Sequence, residues 1–141
     1  MIKRCVEWLN LLCRECGIHV VECNDLPSDA PSICYDEVKL ILFNKNSTAS
    51  HAFMLAHEMA HILIEDAKAT YHTSDAHRLK CEAAADKYAL ELILAFCLKE
   101  EISFTNVDHF CISFGLLLEH VGIFYEKICS VCNNPIELKL A

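Results

Sequence analysis

His57-Glu58-Met59-Ala60-His61 places two histidines four residues apart around a glutamate. On a helix, residues four apart share a face, one turn from each other. Two imidazole nitrogens in that relation can grip one metal ion. Glu58 is offset around the helix. In zinc peptidases that carry this HExxH pattern, the glutamate takes the proton of the metal's water as general base. Five residues thus propose a metal, an activated water and a hydrolytic reaction. With 8 histidines and 20 acidic residues in 141, the string can also arise by chance. Its setting has to decide.

From His51 to Ile64 the only formal charge at neutral pH is that of Glu58. A helix that is apolar all round is a buried helix, and a carboxylate at its centre is costly without a partner. A metal site supplies one; the plainer alternative is a core helix whose histidines are satisfied by ordinary hydrogen bonds. A catalytic zinc usually takes three protein ligands and leaves the fourth position for water. Downstream, Cys81-Glu82-Ala83-Ala84-Ala85-Asp86-Lys87-Tyr88-Ala89 opens a second helical stretch, with Glu82 and Asp86 four apart on one face. That spacing lets Glu82 be the third ligand while Asp86 reaches the other nitrogen of a ligand histidine and orients it. The plainer reading makes both solvated surface acids. The small Ala83, Ala84 and Ala85 would let two helices approach closely. His72 and His77, in a polar connector, are alternative third ligands. The HExxHxxGxxH pattern is absent, because Ile64 and Ala67 stand at its glycine and its third histidine. His19, His51, His109 and His120 read as surface or satisfied core residues. Tyr71, His72 and Tyr88 are candidates for a donor to an oxyanion.

Phe53-Met54-Leu55-Ala56-His57-Glu58-Met59-Ala60-His61, followed by Glu82-Ala83-Ala84-Ala85-Asp86-Lys87-Tyr88-Ala89-Leu90-Glu91-Leu92-Ile93-Leu94, resembles the paired motifs of the ImmA/IrrE zinc metallopeptidases. Those motifs read F-x-L-A-H-E-x-G-H and E-x-x-A-[ND]-x-[FY]-A-x-x-L-L-M-P. Ile33 to Asn44 resembles the β-hairpin that precedes them in that family. Ala60 replaces the usual glycine, His51 stands near the usual arginine, and Ala95-Phe96 replaces the terminal Met-Pro. None of these departures removes a ligand or the base. The resemblance implies a zinc-dependent, cytoplasmic endopeptidase that cleaves or inactivates a helix-turn-helix transcriptional repressor, often encoded on a phage or other mobile element. The alternative is a zinc-binding interaction protein that disables a repressor by docking, without cleavage. A helical scaffold with no metal is the third reading.

The bulk properties fit such an enzyme. The net charge is −8. A chain that grips nucleic acid needs a basic footprint, and none is visible; an acidic surface suits a basic partner, such as a DNA-binding repressor. Hydrophobic residues make up 54%, with only 3 Gly and 3 Pro, which favours long helices and few loops. The length suits one domain, 1–141, expected to be a monomer. No segment reaches the length of a membrane span, and Glu7, Arg14 and Glu15 interrupt any signal-peptide core at the N-terminus. In a reducing cytoplasm the ten cysteines are expected as free thiols. The pairs Cys13–Cys16 and Cys129–Cys132 would form a four-cysteine zinc site if the chain ends meet, although neither has the glycine-rich context of such sites.

Positioning these groups calls for an α+β fold: a mainly helical, zincin-like domain with a small β-sheet or hairpin before the HExxH helix. Val6, Leu9, Leu12 and Cys13 mark one face of a helix over Ile2–Cys16 that Gly17 closes. Ile18–Cys23 reads as a strand and Asn24–Ser32 as a loop. Ser32–Tyr35 and Val38–Phe43 read as a hairpin around Asp36-Glu37. The connector Asn44–Ser50 offers several N-caps to the metal helix, which runs to about Ile64. A loop over Glu65–Ser74 leads to a helix capped by Ser74 or Asp75 and ending near Leu98. Asn106–Ser113 and Leu116–Ile128 read as the last helices.

Overall fold

The computed structural model describes residues 1–64, 75–117 and 128. Four helices and one small sheet make up the described α+β fold: α1 (Ile2–Glu15), β1 (His19–Cys23), β2 (Ile33–Tyr35), β3 (Leu40–Asn44), α2 (His51–Leu63), α3 (Asp75–Lys99) and α4 (Val107–Phe114). The expected loop over Glu65–Ser74 and most of the expected helix over Leu116–Ile128 lie outside the described residues.

Helix α1 buries Cys5, Leu9 and Cys13, a stripe at helical spacing. Gly17 ends it with φ 74°, a conformation that costs other residues dearly. Ile18 N then donates to Cys13 O at 2.7 Å and turns the chain into β1. The hairpin forms as expected, but its turn is longer: a short 3-10 turn over Asp36–Val38 ends at Lys39, a non-glycine residue with φ 51°. What the sequence pattern left open is where β1 goes. It pairs parallel to β3, with His19 opposite Leu40 and Cys23 opposite Asn44. Antiparallel β2 takes the other flank of β3, giving the order β1-β3-β2. Strand β3 is therefore central, and its Ile41 and Phe43 point into the core. The short β2 is an edge, and it packs against α2.

Helix α2 begins at Ser50, whose Oγ accepts from Phe53 N at 3.3 Å. No residue of α2 is exposed, in keeping with its all-round apolar sequence. Its main packing partner is α3. Both helices bury alanines completely at this level: Ala52, Ala56 and Ala60 on α2, Ala85 and Ala89 on α3. Of the three alanines singled out by sequence, only Ala85 is fully buried; Ala83 is exposed. The core continues through Leu9, Leu55, Met59, Leu90, Ile93 and Phe96. Farther along, Phe104, Phe110 and Phe114 stack on one another with centroids 5.1 to 6.0 Å apart.

One buried polar side chain ties the sheet to the loop before β2. Asn44, at the end of β3, is fully buried. Its Nδ2 donates to Pro27 O and Ala30 O, both at 2.8 Å, and its Oδ1 accepts from Asn46 N at 3.0 Å. The backbone N of Asn44 donates to Ser32 Oγ at 2.9 Å. Buried carbonyls must be paired, and here one amide pairs two of them. Asn44→Ala removes three hydrogen bonds and strands their partners, so it should cost about 2–4 kcal/mol. The shift of the urea midpoint at constant m measures it; a cost below about 1 kcal/mol would show that the loop holds its place without this amide.

Candidate metal centre

The two histidines of α2 and the two acids of α3 meet face to face. His57 Nε2 lies 3.1 Å from His61 Nε2, one turn along the helix. Glu82 spans the pair: its Oε2 is 2.9 Å from His57 Nε2, and its Oε1 is 3.1 Å from His61 Nε2. All three side chains are half-buried, and their donor atoms form the one group of metal-ligating side chains among the described residues that could hold an ion. Of the alternative third ligands, His77 stands outside this group, and His72 lies outside the described residues. Asp86 Oδ1 approaches the far side of the His57 ring, 2.8 Å from Nδ1. That contact is close but bent away from the N–H direction, and no better-aligned partner reaches this sealed nitrogen.

The donor set fits a metal on chemical grounds. Two neutral imidazole nitrogens and two carboxylate oxygens all present lone pairs to one point. Without a cation, at least one proton has to sit between them. A tetrahedral zinc with bonds of about 2.0–2.2 Å would hold neighbouring donors about 3.3–3.6 Å apart. The observed 2.9–3.1 Å contacts are a few tenths tighter, a gap that small side-chain rotations close. A hydrogen on His57 Nδ1, facing Asp86, leaves the lone pair on Nε2, which is the tautomer that ligation from Nε2 requires.

The electrostatics agree. Burial is the largest single influence on His57 and pulls its pKa down, but Asp86, Glu58 and Glu82 together raise it above the ordinary imidazole value. The ring therefore sits in a strongly negative surrounding that favours a positive charge. Glu58 is raised above the usual carboxylate range, mainly by burial, while His57 and a hydrogen bond from the Cys34 thiol pull the other way. A carboxylate so placed is a better proton acceptor than one in water.

These groups share an open cleft of about 690 Å³. Helices α2 and α3 supply His57, Glu58, His61, Glu82 and Asp86 on one wall. The loop held by Asn44, together with β2, supplies the other, from Asp29 to Cys34. Phe53 and Met54 form the apolar floor between them. Tyr88, one of the expected oxyanion donors, is not among the lining residues, and Tyr71 and His72 lie outside the described residues. The place of Cys34 in the cleft was not legible beforehand, since nothing in the sequence marks it apart from nine other cysteines.

Cys13 and Cys16, one half of the four-cysteine site expected if the chain ends meet, differ in their surroundings. Cys13 is buried in the core, where desolvation pushes its thiol up to about 12, and Cys16 is exposed at the helix end. Cys129 and Cys132 lie outside the described residues. None of the described cysteines is joined in a disulfide.

His57→Ala or His61→Ala should strip zinc from the purified protein after dialysis, as read by elemental analysis. Stoichiometric zinc in both variants would refute the centre. Asp86→Ala should keep all three donors and weaken zinc binding by about 10–100-fold; an unchanged zinc titration would make Asp86 a mere surface acid.

Comparison with known proteins adds an independent line. No curated protein and no solved structure matches the sequence. The family model of Peptidase U49 matches residues 3–123, a span that contains all of α1 to α4 but the first residue of α1, and every group of the cleft. With a three-donor metal group in that span, a metallopeptidase in general is supported, and the chain belongs to the Peptidase U49 family.

Proposed function

We propose that this peptidase is a zinc-dependent endopeptidase in which His57, His61 and Glu82 hold the metal, Glu58 is the general base, and the substrate is a helix-turn-helix transcriptional repressor. One observation carries the chemical part: the donor atoms of three residues on two helices converge with contacts of 2.9–3.1 Å, beside a half-buried glutamate, in an open cleft.

Bound zinc supplies a water of lowered pKa and polarises the scissile carbonyl. The remaining work falls to the chain. His57 and His61 fix the site through their Nε2 atoms, and Asp86 holds the His57 ring in register from behind. Glu58 accepts a proton from the attacking water and passes it to the leaving amine. Its burial raises its proton affinity and so favours the first of these transfers. Phe53 and Met54 give an extended peptide an apolar floor.

The substrate class rests on charge and on motif likeness. Asp29, Asp36, Glu58, Glu82 and Asp86 line the cleft, and no Lys or Arg is among its lining residues that the structure describes. The whole chain carries −8. Basic segments are therefore favoured partners, and DNA-binding repressors expose them. The likeness of the paired motifs to the ImmA/IrrE peptidases narrows the basic partner to a repressor of the helix-turn-helix type. A single domain acting as a cytoplasmic monomer suits this reading. No helix among the described residues is long and apolar enough to cross a membrane.

Glu58→Gln should keep zinc and fold while proteolysis falls by about 10²–10⁴-fold, because glutamine keeps the shape and loses the basicity. Comparable cleavage by the variant would sink the mechanism. If the variant instead disables its repressor as well as the native chain does, the protein works by docking. Wild-type protein should cut a candidate repressor at one site, more slowly as salt rises, and leave casein nearly intact. Mass spectrometry of both digests at low and high salt reads the outcome; rapid, salt-insensitive digestion of casein would overturn the repressor assignment.

A further inference from the structure

Strand β3 reads Leu40-Ile41-Leu42-Phe43, apolar at every position. Such a run belongs to a strand covered on both faces, whereas a half-solvated strand alternates apolar and polar residues. Here only one face is fully covered. Ile41 and Phe43 are buried, while Leu40 and Leu42, on the opposite face, are half-buried. The register puts His19 and Tyr35 on either side of Leu40, and Val21 and Ile33 on either side of Leu42. Residues paired across strands share a face. Val21 is 39%, Ile33 46% and Tyr35 49% exposed. The outer surface of the sheet is thus a contiguous group of six side chains, all hydrophobic but His19. Contiguous apolar surface of this kind marks a docking place.

Two observations bear on what docks. The first is continuity with the cleft. Asn44, the next outward position of β3, bonds to the carbonyls of Pro27 and Ala30, so the loop before β2 closes that end of the face. Residues of the same loop, from Asp29 to Ser32, line the cleft. Ile33 belongs to the face and to the cleft, and Asp36, which follows Tyr35, lines the cleft as well. A body seated on the face has only the edge strand β2 between it and the metal donors' cleft. The second observation is size. Strands about 4.8 Å apart and a few residues long make this patch on the order of 200–300 Å². A stable pair of proteins needs about 800 Å² from each partner. The face is too small to hold a second copy by itself, but it can add to the hold on a protein that already has a segment in the cleft.

We propose that the outer face of the sheet is an exosite: it seats an apolar patch of the folded protein substrate while an extended segment of that substrate crosses β2 into the cleft. This deepens the peptidase reading and rests on it. Two linked contacts reinforce each other, because the second forms at the effective concentration set by the first. A folded substrate is then preferred over a peptide with the same residues around the cut, without any deeper cleft.

One arm of the test finds the occupant without cleavage. The zinc-loaded Glu58→Gln chain, with p-benzoylphenylalanine in place of Tyr35, is irradiated in a native extract of the cells that make it, and mass spectrometry identifies what is cross-linked. Independently, N-terminal labelling of the same extract identifies the protein that zinc-loaded wild type cuts. The two should be one protein. Cross-linking to a second copy of this chain, to another part of the same chain, to a protein that wild type leaves intact, or to nothing overturns the exosite. An extract in which wild type cuts nothing refutes the peptidase reading, and the exosite with it; an extract with a cut protein that position 35 does not capture refutes the exosite alone. The second arm is kinetic, on the folded cut protein and on a synthetic peptide spanning its cut. The double variant Val21→Thr/Tyr35→Thr keeps residues that favour strands and spares Ile33, which lines the cleft. It should raise KM on the folded protein about tenfold with kcat within about twofold, and leave kcat/KM on the peptide within about twofold. Where the double variant fails to fold, Tyr35→Thr alone should raise KM on the folded protein several-fold. An unchanged KM on the folded protein, or an equal loss on the peptide, overturns the proposal.

Discussion

Two helices cross here with lone pairs aimed at one another, and the rest of the structure exists to make that tolerable. Each helix presents an i, i+4 pair: His57 and His61 on α2, Glu82 and Asp86 on α3. Glu82 faces both imidazoles, and Asp86 stands behind the nearer one. Such a cluster of acceptors in a half-buried cleft is unfavourable until a cation or a proton joins it. The negative surroundings of His57 express this demand. The cluster also needs the helices to lie close, and the alanines buried on both sides of the crossing permit that approach.

The sheet plays a different part. Its central strand sends Ile41 and Phe43 into the core, while its far end anchors the loop over Asn24–Ser32 through Asn44. That loop and the edge strand β2 form the wall of the cleft opposite α2. Asn44 shapes the cleft without touching anything that reacts. An amide that satisfies two loop carbonyls and a backbone N–H in the interior can do this because few other arrangements would leave all of those groups paired. The same wall brings Cys34 into the cleft that Glu58 lines.

Much of this could be read along the chain. Helices four residues apart in their ligands, an apolar run around a lone carboxylate, and a capping serine before it are local signals, and local physics acts on them. The positions of α1, α2, α3 and α4 agree with the expected spans to within a residue or two, because helix periodicity, caps and the positive-φ glycines at 17 and 115 are all encoded within a few residues of where they act. The hairpin was legible for the same reason. The parallel partnership of β1 with β3 was not. Its ladder joins residues some twenty positions apart, with β2 lying between in sequence, and no short-range pattern distinguishes that register from a simple meander.

The site divides in the same way. The identity of His57, Glu58 and His61 as a unit belongs to the sequence, since one turn of helix places them whatever else folds around it. Glu82 and Asp86 were legible as a pair on one face, but a face has no direction until a partner helix is packed against it. Only the crossing of α2 and α3 decided that this face meets the histidines, that Glu82 reaches both rings, and that Asp86 takes the Nδ1 side of His57. Tertiary structure alone brought Cys34 to the cleft and Asn44 to the loop carbonyls. Their roles depend on which atoms lie across a gap of a few ångströms, and that distance is set by burial of the whole core rather than by any property of the residues themselves.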